Sequence, residues 1–152
     1  MAVVSGPALS DRLAETLYTE ALLLADETHA YYDLAGRAER EKLEPRERVQ
    51  FACEALKATT RLMHVIAWLA TRRAIATGEL PEGDPRSPER RLGESTPSDA
   101  SILGLMPTAA RRLILAGIDL HERVGRVAAG IEAPIASASP ARALLQRLER
   151  SF

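Results

Sequence analysis

With 20 basic against 21 acidic side chains over 152 residues, the chain has a formal charge of −1 and no electrostatic drive toward nucleic acid or an anionic membrane. Its length bounds it to one domain with a core of its own. Aromatic residues are only 4% and the apolar weight lies in Ala and Leu, which favours helix packing over sheet.

The first predicted helix opens after a loose end over residues 1–8. Ser10 stands where an N-cap belongs, and Asp11 and Glu15 place acid against the positive end of the dipole. Leu13, Leu17, Ala21, Leu24, Thr28, Tyr31 and Ala35 form an apolar stripe, widened by Leu22 and Leu23, over about seven turns to Gly36. Residues 36–44, GRAEREKLE, are highly charged and carry no stripe, so they read as a short connection that makes the neighbouring helices antiparallel.

The stretch from Pro45 to Gly78 has neither Pro nor Gly in its interior and organises the chain. Pro45 suits the first helical position, Arg72 and Arg73 sit near the negative end, and Gly78 suits the left-handed stop. Val49, Ala52 or Cys53, Leu56, Thr59 or Thr60, Met63, Ile66 or Ala67, Ala70 and Ala74 recur at the spacing of one buried face. A helix of this span is about 50 Å long at 1.5 Å per residue.

Residues 79–106 follow, with Pro81, Pro85, Pro88 and Pro97 among glycines, too many breakers for helix or strand. Leu80 and Leu92 are the apolar anchors of this long irregular loop. Near its end, Thr96-Pro97-Ser98-Asp99 resembles a capping box before SILGLM, which predicts one or two helical turns stopped at Gly104. Pro107 opens a third long helix with a seam of Leu113, Gly117, Leu120, Val124, Val127 and Ile131. Gly117 lies on that seam, which suggests close helix approach.

The expected fold is all-α: an antiparallel three-helix bundle over residues 1–130, including the loop, with a flexible C-terminal tail over 131–152. Within the tail Leu144, Leu145 and Leu148 mark one side of a short amphipathic helix, either simple disorder or a segment that orders on a partner. Residues 1–36 come to about −5, 37–78 to about +4, 79–106 to about −3 and 107–152 to about +3, so an acidic first helix is set to pack beside two basic ones.

No chemistry-bearing constellation emerges. His29, His64 and His121 fall one per long helix, and Asp26-x-x-His29 has ligand-pair spacing, but the paired Glu-x-x-His of di-iron bundles is absent. Cys53 is placed on the buried stripe as a small core residue, no internal disulfide can form, and a reducing cytoplasm fits. The opening MAVVSGPALSDR lacks the features of a signal peptide, and no apolar run predicts a membrane span. No catalytic residue, metal site or cofactor is therefore assigned. The arginine pairs at 72–73, 90–91 and 111–112 are interleaved with acid and lack a stacking platform, so they read as solvated faces rather than a nucleic-acid surface.

Trp68, with Arg72 and Ile75, is more informative. The second helix outruns its neighbours by about two turns. Trp68 and Ile75 then lie toward an edge that either the loop covers, through Leu80 and Leu92, or a subunit or partner contacts, since Trp is a common anchor.

The block TTRLMHVIAWLATRRAIATGEL, then RRLGE, then LMPTAARRLILAGIDLHERVGRVA resembles the regulator-of-CtrA-degradation family, the RcdA-like proteins of alphaproteobacteria. The likeness is best at Thr60–Met63, Trp68, Arg73-Ala74, Arg91-Leu92-Gly93 and Arg123-Val124. The resemblance implies a dimeric three-helix bundle and a cytoplasmic adaptor that helps the ClpXP protease receive cargo during the cell cycle. At His64 this chain departs from the amide expected there. The leading expectation is a non-catalytic protein-binding adaptor working through Trp68, Arg72, Ile75, Leu144, Leu145 and Leu148. The alternatives are a helical-bundle ligand or metal binder using His29, His64 or His121, and a purely structural oligomer.

Overall fold

A computed structural model describes residues 6–132 together with 147 and 148. Among these residues the protein is all helical, with five helices where the sequence predicts three long ones and a single turn or two: α1 (Gly6–Asp33), α2 (Ala35–Glu41), α3 (Pro45–Ala76), α4 (Ala100–Leu103) and α5 (Thr108–Glu132). The helix α1 starts upstream of the predicted cap, so Ser10 lies inside it. Pro7 fits the first turn, where its missing N–H has no helical partner to lose.

Residues 36–44 are not merely a connection. Leu34 alone separates α1 from α2, and its non-helical backbone breaks the helix there. The tight junction rests on Gly36: a Cβ there would lie 2.8 Å from the Tyr31 carbonyl oxygen. The Tyr31 hydroxyl donates to Glu39, tying α2 to the helix before it. Only Gly36 of α2 is buried, which explains the missing stripe.

The ends of α3 follow their sequence signals. Pro45 begins it, Glu47 lies in its first turn and Arg73 in its last. Gly78, at φ +80°, takes the left-handed conformation that turns the chain away. The short α4 is capped by Asp99, whose Oδ1 accepts from the Ser101 N–H at 2.8 Å. That bond and the Ser101 hydroxyl hold the carboxyl below its usual range.

The three long helices pack on one another, but they are not all antiparallel neighbours. Glu15 of α1 meets Arg73 of α3, and Tyr32 meets Phe51, so α1 and α3 run oppositely. Ala58 packs with Ile114, whereas Trp68 packs in the cluster of Ala128, so α3 and α5 run in the same direction. The physical reason is the long connection, which travels back beside α3 before α5 begins. Ala14, Leu17, Ala21, Leu62, Val65, Leu69, Leu120 and Val124 form the core of the upper half. Tyr31, Phe51, Met106, Ala110 and Leu113 form that of the lower. The expected charge complementarity is realised: Glu15, Glu20 and Glu27 of α1 pair with Arg73, Arg123 and Arg112. Gly117 is on the buried seam, yet a Cβ there would meet nothing within 4 Å, so close helix approach does not account for it.

Candidate protein-binding site

The helix α3 is turned relative to its predicted orientation. Its buried side chains are Phe51, Glu54, Ala58, Arg61, Leu62, Val65, Trp68 and Leu69. Val49, Leu56 and Met63, predicted inside, are 64%, 69% and 63% exposed, and Cys53 is exposed as well. The cause lies in the loop. Glu54, Lys57, Arg61 and His64 recur at three- and four-residue intervals and form a polar face, which a sequence reading assigns to water. The fold instead lays residues 90–98 along that face.

Side chains from the helices hold that segment at most of its length. The Trp68 indole N–H donates to the Arg90 carbonyl at 3.1 Å. His121 Nε2 is 2.9 Å from the Gly93 carbonyl, and His64 Nδ1 is 3.0 Å from the Glu94 carbonyl. Since a carbonyl only accepts, each of these ring nitrogens carries the proton. Arg61 donates from Nε to Ser95 Oγ at 2.6 Å and from Nη2 to the Thr96 carbonyl at 3.0 Å. The Ser98 hydroxyl donates to Glu54 Oε2 at 2.6 Å, and Lys57 Nζ donates to Glu54 Oε1 at 2.9 Å. Leu92 packs against the upper core, whereas Leu80 stays 39% exposed.

Glu54 and Arg61 are 2% and 1% exposed. Burial lowers the Arg61 pKa while the Glu54 charge opposes that shift. Burying charge is costly unless it is paired and hydrogen-bonded. Here the loop supplies the partners, so the ordering of residues 90–98 and the burial of the α3 charges depend on each other.

What remains outward on α3 is a stripe without charge. Its exposed residues from Ala52 to Ala67 are Ala52, Cys53, Leu56, Thr59, Thr60, Met63 and Ala67. Beside the stripe, between α1 and α3, lies an open groove of about 450 Å³ lined by Thr28, His29, Tyr32, Leu56, Met63 and Ile66 among others. The α1 side adds Asp26, and the lining His29 pairs with Asp33 at 3.0 Å. The Thr28 Oγ1 and Tyr32 hydroxyl atoms are buried and have no partner among the described residues. A contiguous uncharged surface of this kind is a feature of protein contact sites.

Of the residues singled out from sequence, Trp68 is 6% exposed, covered by the loop rather than standing at an edge. Arg72 is largely covered and reaches Glu82 at 3.5 Å, and Ile75 is half-buried. Leu144 and Leu145 lie outside the described residues, and Leu148 is 54% exposed. His64 and His121 both flank Gly93 of the loop while His29 stands apart on α1, and among the described residues no group of three or more potential ligands is assembled. Among the same residues no helix is long and apolar enough to cross a membrane. The stripe is the feature that sequence reasoning missed. The available signal was the uncharged set between the polar residues, read as core because its residues are apolar.

No curated protein matches the sequence. The sequence profile of the family described as "Protein of unknown function (DUF1465)" matches residues 6–152. Among solved structures, the crystal structure of RcdA from Caulobacter crescentus CB15 is similar, with a TM-score of 0.63 and 29% identity, covering 76% of this chain and 87% of that chain.

Proposed function

We propose, from the premise that this chain belongs to the DUF1465 family and is RcdA-like, that it is a non-catalytic protein-binding adaptor. The single observation that carries the reading is the inversion of α3, with its charges under the loop and its uncharged stripe on the surface. Covering Leu56 and Met63 would contribute about 1–2 kcal/mol each, enough for two adjacent anchors to matter in a contact.

In this reading the stripe holds one protein. The far end of α3, with Arg72 and Ile75 beside the loop-covered Trp68, is proposed to act with Leu144, Leu145 and Leu148 of the tail as a second contact region. Holding two proteins on one body raises their local concentration. The similarity to RcdA supports a role in regulated proteolysis of the ClpXP type during the cell cycle, with a protease complex and its cargo as partners, in the cytoplasm and as a homodimer.

Crosslinking mass spectrometry in the native cell tests this with the double variant Leu56→Glu, Met63→Glu. Both sites are exposed, so stability stays within about 0.5 kcal/mol while crosslinks to partners are lost. An unchanged partner set would remove the stripe from the function.

A further inference from the structure

We infer that the face of α3 and α5 beneath residues 90–98 is a peptide-binding slot. This segment fills it from within the chain, and an extended, serine-containing segment of another protein displaces it. The slot lies on a different face of α3 from the uncharged stripe, so it stands without the reading above.

The slot reads main chain. Trp68, His121, His64, Arg61 and Lys57 donate in turn to the carbonyls of Arg90, Gly93, Glu94, Thr96 and Pro97. Main-chain contacts of this kind recognise an extended backbone whichever protein supplies it. From Glu54 to Trp68 the anchors cover about 21 Å of helix axis, which the segment crosses at roughly 2.6 Å per residue, a nearly extended path. Among the described residues no backbone N–H from Leu92 to Ser98 has a backbone partner, so the segment belongs to no helix or ladder. Side chains are read as well. Position 93 demands glycine, since a Cβ would meet the His64 ring at 2.5 Å. Ser95 and Ser98 bond to Arg61 Nε and Glu54 Oε2 at 2.6 Å each.

The resident segment fills the slot incompletely. Arg61 is 1% exposed, yet its Nη1 has no partner among the described residues. A buried donor left unpaired is costly, so an incoming segment that pairs it gains what the resident one does not supply. Cavities flank the segment where it passes Gly93. One of about 440 Å³ faces α5 and is lined by Arg91, Gly125 and Ala129 among others. One of about 200 Å³ faces α3 and is lined by His64, Thr71 and Glu89 among others. Of residues 90–98 only Leu92 joins the core clusters. Lifting the segment therefore returns Glu54 and Arg61 to water instead of stranding them, and the bundle itself stays packed.

Trp68 is the sole tryptophan and its indole N–H bonds to the segment, so one indole signal reports slot occupancy. The probe is a synthetic fluorescent peptide of residues 89–99, ERRLGESTPSD. It is titrated into the full chain and into the variant Ser95→Ala, Ser98→Ala, which weakens the resident segment and leaves every α3 and α5 group in place. The variant is expected to bind at least about tenfold more tightly than the parent, because its closed state is less populated and the peptide restores both serine contacts. The Trp68 indole signal and the amide signals of residues 92–98 should move together on binding. The same peptide with Gly93→Ala is expected to bind about tenfold more weakly. Equal affinity of parent and variant, equal affinity of the two peptides, or an unmoved Trp68 signal would overturn the inference. So would a variant that is dimeric by light scattering and becomes monomeric on peptide addition, because the occupant would then be a second copy's segment. If the double variant is unfolded by circular dichroism, Ser98→Ala alone carries the same test. Adding Leu56→Glu, Met63→Glu should leave peptide affinity unchanged. Absent peptide binding while that stripe variant loses partners fails the slot alone; peptide binding while it keeps them fails the stripe alone.

Discussion

Gly93 lies flat against the imidazole of His64. A Cβ on Gly93 would sit 2.5 Å from the ring's Cγ, while the Gly93 carbonyl accepts from His121. One glycine thus lets the loop pass between imidazoles from α3 and α5. It also gives a structural reason for Gly93 in the Arg91-Leu92-Gly93 segment, which is the part of the loop that the resemblance picks out.

Gly93→Ala is therefore expected to destabilise the fold by about 1–3 kcal/mol, the range for overpacking a tight contact. His64→Ala removes the obstructing ring. If the clash is the cause, the double variant Gly93→Ala, His64→Ala loses less than the two single losses added together, as read by urea unfolding. Strict additivity would reject the steric explanation.

The buried charges give a larger effect. Arg61→Ala leaves the Glu54 carboxylate buried with less positive charge near it and strips Ser95 and Thr96 of their donor. A loss of about 1.5–3 kcal/mol for each of the two hydrogen bonds is expected, the worth of bonds to a charged group, while Glu54 keeps its ion pair with Lys57. Amide exchange should speed most at residues 90–98 if Arg61 holds the loop. Uniform acceleration across all helices would mean that it does not.

How much of this was legible beforehand differs by element. The span of α3 was readable because Pro45 and Gly78 act through backbone geometry at the helix ends, which tertiary packing does not alter. The seam of α5 was readable because Leu113, Leu120 and Val124 repeat at bundle spacing and nothing charged interrupts them. The buried face of α3 was not. Glu54 and Arg61 look like solvent residues, and their partners Ser95, Thr96 and Ser98 lie more than 30 residues away in sequence. The same long-range dependence hid the parallel course of α3 and α5, because a breaker-rich loop gives no sign of where it runs. The candidate site was illegible for the same reason, since turning α3 to bury its charges is what exposes Leu56 and Met63.

Gly117 provides a test in the opposite direction. It is buried on the α5 seam, but a methyl group there would meet no atom within 4 Å. Gly117→Ala is expected to stabilise the protein by about 1 kcal/mol, the difference in helix propensity, and to raise the urea midpoint. A destabilising result would mean that the packing around α5 is tighter than the backbone geometry implies.

The two adjacent tyrosines set an alkaline limit. Burial, with the Glu54 charge adding to it, pushes the Tyr32 hydroxyl up to about 12, and burial together with the hydrogen bond to Glu39 raises Tyr31 as well. In the unfolded chain a tyrosine titrates near pH 10. Below that pH both states keep their protons and the full stability is present. Above it the unfolded chain releases protons that the folded chain retains, so stability falls as pH rises toward the folded values. Thermal unfolding is expected to show a midpoint that declines from about pH 10 upward. In Tyr32→Phe the decline should be shallower. At pH 8 that variant is expected to be at least as stable as the parent, because the buried Tyr32 hydroxyl has no partner among the described residues and its removal strands no other group. A steeper alkaline decline in Tyr32→Phe, or a clear loss at pH 8, would show that the hydroxyl holds a contact that the fold relies on.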